Sequence, residues 1–176
     1  MSESSTAGFN ITTCRWMPLL WLPETPGART AERVSAANQA GLKRLRTLLE
    51  YETREALSPE LSGIESLTIE VLRCVKQIPP ACTVTLGPSG AAWTQDKNRP
   101  PPDPGAEGRL RLFLNPEMPY EVEFFCSVGR VERLPDGNRV TAAFVGCSPA
   151  VADAYQQLVF IYSRAERLAT RAGTTP

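Results

Sequence analysis

Thiols are the most reactive groups this polypeptide offers, because its sequence contains no histidine. That absence removes the commonest general base, the Ser-His and Cys-His activation schemes and the commonest zinc ligand together. Five cysteines remain: Cys14, Cys74, Cys82, Cys126 and Cys147. No pair has C-x-x-C spacing, and most stand in apolar runs where cysteine behaves as a small hydrophobe, so they read as buried thiols of a reducing compartment. Carboxylate pairs or a lysine are chemically able to catalyse, but no motif marks one. Neither a Walker sequence nor a dinucleotide fingerprint occurs, and Gly87-Pro88-Ser89-Gly90 is only a turn-like glycine pair. The expectation is a chain without catalytic residues, bound metal or cofactor.

Charge narrows the partners. Lys plus Arg and Asp plus Glu number 19 each, so no basic stripe stands out to neutralise a phosphate backbone, and nucleic-acid binding is not expected. The apolar run Trp16–Pro23 is too short to span a bilayer and is broken by proline. It also lacks the basic flank and small-residue cleavage site of a secretory signal, so a cytoplasmic location is expected.

The elements that position these residues follow from hydrophobic period and turn residues. An apolar arm, 1–29, carries Trp16 and Trp21 and is expected to lie extended, docked on its own domain or free to hold a partner. Residues 30–78 are expected to form a helical oligomerisation region. In its first helix, from Thr30 to Ala56, Val34, Gly41, Leu45 and Leu48 recur at helical spacing. In its second, from about Gly63 to Gln77, Ile64, Leu67, Val71, Cys74 and Ile78 step by three, four, three and four, as in a coiled-coil seam. So short a seam fits packing within the chain as well as contact between copies. Copies meeting along it would form a dimer or a tetramer.

Beyond Pro80 the period switches to alternation. Cys82–Leu86 and Ala91–Trp93 flank a turn, a Pro-rich loop (99–108) follows, and Arg109–Leu114 alternates leucine with arginine. Tyr120–Leu134 reads as a long strand whose parity slips at Gly129, which predicts a bulge there, and Asp136-Gly137 predicts a hairpin. Ser148-Pro149 is a helix start, with Ser at the N-cap and Pro at the first helical position. The helix that follows has a wide apolar face, including Val159, Phe160 and Ile161, suited to covering one end of a small barrel. Residues 79–172 are thus expected to be a small antiparallel β-barrel with a closing helix, 173–176 a tail, and the whole an α+β fold.

The hairpin GRVERLPDGNRVTAAF (129–144), the closing-helix run VFIYSRAER (159–167), the apolar arm and the helix ANQAGLKRLRTLLEYE together resemble the PilZ domain family, in its atypical tetramer-forming branch. The resemblance extends over residues 11–170. PilZ domains typically receive the second messenger cyclic di-GMP through R-x-x-x-R before the first strand and [D/N]-x-S-x-x-G after it. Guanidiniums suit such a ligand because they grip phosphate oxygens bidentately and read or stack on guanine. Here the first position holds Arg73 and Lys76 at a spacing of three, and of the second motif only Gly90 is kept, with Thr85 and Gly87 at the other two places. The resemblance therefore implies a degenerate, non-enzymatic signalling scaffold. It would assemble with itself, meet a bacterial signalling, pilus or motility protein, and not bind cyclic di-GMP by the usual motifs. The alternative is a cyclic di-GMP receptor with a non-standard site, built on Arg109, Arg111 or Arg130.

Overall fold

A computed structural model describes residues 11–53, 67, 70, 71, 74, 78–115, 118 and 120–171. Six strands, β1 (Thr13–Pro23), β2 (Ala81–Gly87), β3 (Gly90–Asp96), β4 (Glu107–Leu112), β5 (Val122–Leu134) and β6 (Gly137–Phe144), close into an antiparallel barrel in the order β1-β2-β3-β6-β5-β4. Among the described residues, the long helices α1 (Ala31–Thr53) and α2 (Pro149–Arg171) accompany it, together with helical positions at 67, 70, 71 and 74.

The expected N-terminal arm is corrected by this topology: residues 13–23 are a barrel strand rather than an appendage. The first half of β1 pairs β2 from Thr13↔Leu86 to Pro18↔Ala81, and the second half pairs β4 from Leu19↔Leu112 to Pro23↔Gly108. The change of neighbour falls at Pro18. Proline has no N–H to give a ladder, so it stands at the end of one pairing, while its carbonyl accepts from the Phe113 N–H at 3.2 Å. Met17, Leu19 and Trp21 join the interior from alternate positions.

The remaining strands follow the sequence reading closely. Pro88-Ser89 joins β2 to β3 and Pro135-Asp136 joins β5 to β6, each as a two-residue connection, the second one position earlier than the expected Asp136-Gly137 turn because Gly137 already pairs with Leu134. The register slips between Val128 and Arg130, so Gly129 is the bulged residue, and the inward set Val122, Phe124, Cys126, Val128 passes to Val131.

Helix α1 begins where the Thr30 hydroxyl accepts from the Arg33 N–H at 3.2 Å, an N-cap that satisfies one orphan donor. It buries Gly41, Leu45 and Leu48, with Gly41 facing Val122 of β5, and leaves Glu32, Gln39, Lys43, Arg46 and Glu50 outside. Helix α2 starts as the Ser148-Pro149 pair predicts, Ser148 Oγ accepting from the Val151 N–H at 3.4 Å. Asn38 ties the helices together, donating to the Gly146 carbonyl at 2.9 Å and accepting from the Ser148 N–H at 3.0 Å. The apolar face of α2, with Val151, Tyr155, Leu158, Val159 and Tyr162, covers one end of the barrel. Tyr155 meets Phe124 and Phe144 edge-on with ring centroids 5.2 and 5.1 Å away, and the Arg15 guanidinium lies 3.9 Å from the Tyr162 ring centroid. Among the described residues no helix is long and apolar enough to cross a membrane.

Candidate functional site

The degenerate nucleotide motif divides in the structure. Arg73 and Lys76 lie outside the described residues. Gly90 opens β3 opposite Ala143, and a Cβ built there would stand 2.4 Å from the Ala142 carbonyl oxygen. Close approach of two strands therefore requires a glycine at 90, and its presence needs no ligand to account for it.

Of the arginines on the barrel exterior, Arg109, Arg111 and Arg130 are already engaged. Glu24, whose side chain is nearly buried, lies 2.6 Å from Arg33 Nη2. Arg109 brings Nε to 2.6 Å from the same Glu24 oxygen, without the alignment of a hydrogen bond, and Nη1 to 3.2 Å from Glu123. Arg111 Nε donates to Glu123 at 2.7 Å. Burial alone would raise the Glu123 carboxyl, but hydrogen bonds from Arg111 and Arg109 outweigh it and hold the group below the usual carboxylate range. The network joins the start of α1, the end of β1, β4 and β5. A phosphate approaching Arg109 or Arg111 would have to displace these charge-assisted bonds. Arg130 is largely exposed and lies 2.8 Å from Glu132.

Thiol chemistry is also restrained by position. Cys126 is buried among apolar side chains, and Cys82 and Cys147 are partly so. Burial pushes all three thiols up, away from the nucleophilic thiolate at neutral pH. Cys14 and Cys74 are exposed. Among the described residues no group of three His, Cys, Asp or Glu is gathered as a metal would need.

The two arm tryptophans separate. Trp16 projects outward from β1 opposite Thr83 and is 72% exposed, whereas Trp21 points into the barrel and packs on Trp93 with centroids 5.9 Å apart. They stand five positions apart, an odd step, so a strand sends them to opposite faces. Trp21 is thus corrected as a freely presented anchor.

The expected oligomerisation residues separate too. Leu45 and Leu48 are fully enclosed in the chain's own core, Gly41 faces β5, and Val34 packs where Gly146 leaves room. Gly41, Leu45 and Leu48 belong to intramolecular packing, a correction whose reason is that a helix of this length covers β5 and α2 at once, while Val34 is only half-buried. In the second helical stretch, Leu67, Glu70, Val71 and Cys74 are helical, and Ile64 lies outside the described residues. Leu67 is 65% exposed, Val71 62% and Ile78 38%. Ile78 falls outside helical structure. Phe160, read from sequence as covered, is half exposed on α2, as is Leu168.

A feature that sequence reasoning missed lies at the barrel end away from α2. Leu19, Trp21, Cys82, Trp93 and Gln95 face a cavity of about 790 Å³ whose rim includes the Pro-rich segment 99–103. The inward parity of Trp21 and Trp93 was the available signal, and it required knowing that β1 belongs to the barrel.

No protein-family model matches the chain, and no curated protein does. Among solved structures, it is similar to a pathogenic protein from Xanthomonas campestris described as a new tetrameric PilZ domain self-assembled via an unusual helical bundle. The TM-score is 0.70 at 16% identity, over 89% of this chain and 90% of that one. The fold of this chain is accordingly that of a PilZ-like domain.

Proposed function

We propose that this PilZ-like protein is a non-enzymatic signalling scaffold that assembles with itself through the helical stretch containing Leu67, Val71 and Cys74. The observation that carries the reading is the exposure of Leu67 and Val71, together with Cys74, at steps of four and three while the face of α1 that meets the barrel is already covered. A seam of that spacing is suited to meet copies of itself. Ile64, Arg73 and Lys76 belong to the same stretch of sequence, Ile64 continuing the spacing of the seam and the two basic residues flanking it, while Ile78 follows the helical stretch. The tetrameric, helix-bundled arrangement described for the Xanthomonas protein supports the same reading. Cyclic di-GMP binding through the usual motifs is not part of it, since the arginine pair is absent from the sequence and Gly90 is required by packing. Cooperation with a bacterial signalling, pilus or motility protein, with the outward Trp16 as an anchor, extends the proposal.

Sedimentation velocity of the full chain tests it. The unmodified protein is expected to run above its 19.3 kDa monomer mass, and the variant carrying Leu67→Asp and Val71→Asp to run as a monomer with an unchanged circular dichroism spectrum. A monomeric unmodified protein at tens of micromolar, or a double variant of undiminished size, would overturn the reading.

A further inference from the structure

Helix α2 covers the barrel with one face and carries a second apolar stripe outside that contact. Phe160 and Leu168 are half exposed, and the exposed Arg164 stands between them, four residues from each. The two apolar side chains are thus about 12 Å apart along the helix. The helical stretch that leads to β2 repeats this layout with the opposite charge. Leu67, Val71 and Cys74 are exposed, and the exposed carboxylate of Glu70 stands three residues from Leu67 and four from Cys74. Leu67 and Cys74 are about 10 Å apart along a helix. Neither Glu70 nor Arg164 has an ion-pair partner among the described residues.

We infer that the stretch containing Leu67, Glu70 and Val71 of one copy packs antiparallel on the stripe of Phe160, Arg164 and Leu168 on α2 of a second copy. The inference rests on the self-assembly proposed above and names a second surface that the stretch meets, since a helix within a bundle touches more than one neighbour. Both stripes are exposed in the same chain, so one chain does not bring them together and a second copy is the occupant that offers each the other. Their lengths match, and each has a charge in the middle, negative on one and positive on the other. Contact therefore covers apolar surface at both ends and brings Glu70 to Arg164 at the centre. The flanking charges select the direction. A parallel arrangement would set Arg73 and Lys76, which follow the seam in sequence, beside Arg167 and Arg171. The antiparallel one separates these basic ends and opposes the helix dipoles. With Leu67 facing Leu168, Glu70 comes level with Arg164 and Cys74 with Phe160, each to within one residue. A two-fold axis makes the contact twice.

Charge reversal in the full chain tests the contact by sedimentation velocity. Glu70→Arg and Arg164→Glu each place like charges at its centre and should weaken assembly at least roughly fivefold. Both positions are exposed, so the circular dichroism spectrum and the melting midpoint of the dissociated chain should not change. An equimolar mixture of the two variants restores opposite charges at both contacts of a two-fold pair, one chain offering only arginine and the other only glutamate. The mixture should therefore recover the mass of the unmodified protein, and so should the chain carrying both reversals. Recovery in the doubly reversed chain but not in the mixture would assign the contact to a single chain and overturn the inference. Single reversals that assemble like the unmodified protein, or a mixture no larger than its components, would overturn it too. These results would leave the proposed seam standing where Leu67→Asp, Val71→Asp is monomeric, whereas an unmodified protein that is itself monomeric would overturn both.

Discussion

Leu48 and Leu67 occupy similar positions in the sequence pattern and opposite ones in the structure, so their substitutions should separate folding from assembly. Leu48 is 0% exposed, enclosed within the core that the barrel shares with its helices. Replacing it with alanine removes buried methyl groups and leaves a cavity, at a cost of about 2–5 kcal/mol. For a domain of this size each kcal/mol moves the melting midpoint by about 2–4 °C, so the midpoint should fall by about 4–20 °C. Leu67 is 65% exposed, and Leu67→Ala should change the stability of the single chain by no more than about 0.5 kcal/mol. Assembly itself stabilises by mass action, so melts are run at two protein concentrations, and any part of a shift that disappears on dilution belongs to association. Sedimentation velocity on the same samples gives the mass. Leu48→Ala should melt lower at both concentrations and keep its assembled mass in the cold; Leu67→Ala should lose mass and show only a concentration-dependent shift. A Leu48→Ala protein with an unchanged midpoint but smaller mass would refute the division of the helical region into an intramolecular α1 and an intermolecular seam.

Calorimetric titration with cyclic di-GMP should give no saturable heat at micromolar concentrations; low-micromolar binding would show that the engaged Arg109 and Arg111, or Arg130, can be recruited after all. Glu123, held below the usual carboxylate range by Arg111 and Arg109 against the effect of burial, contributes stability that is present above the unfolded value, about 4.3, and is lost as pH falls through its folded value. The urea midpoint should therefore drop below about pH 4, and Glu123→Gln should flatten that acid limb; an unchanged limb would contradict the assigned role. Of the five thiols, Cys14 and Cys74 should react first with a mild alkylating agent, followed by mass spectrometry, because burial raises the other three. Raising the protein concentration should protect Cys74 and leave Cys14 reactive if the seam is an interface.

Much of the fold is legible from local signals. The hairpins at Pro88-Ser89 and Pro135-Asp136, the bulge at Gly129 and the start of α2 at Ser148-Pro149 depend on backbone preferences of a few neighbouring residues. Side-chain period likewise marks the inward faces of β4 and β5 and the apolar face of α1.

What each face meets is a different matter. Whether Leu48 covers the chain's own barrel or a second copy has no local signature, because an apolar stripe is the same stripe in both cases. The run from Trp16 to Leu22 is apolar on both faces, so its period could not reveal a strand. Its membership of the barrel depends on β2 and β4, some sixty and ninety residues further along, offering two edges that only β1 can close. That closure sends Trp16 outward and Trp21 inward and so creates the aromatic mouth. Gly90 shows the same limit, since a residue resembling the last trace of a ligand motif proves to be required by the carbonyl of Ala142 on a neighbouring strand. Composition and period determined which elements form and excluded histidine chemistry; long-range pairing decided which surfaces are used up and which remain to bind, because burial is a property of the whole packed chain.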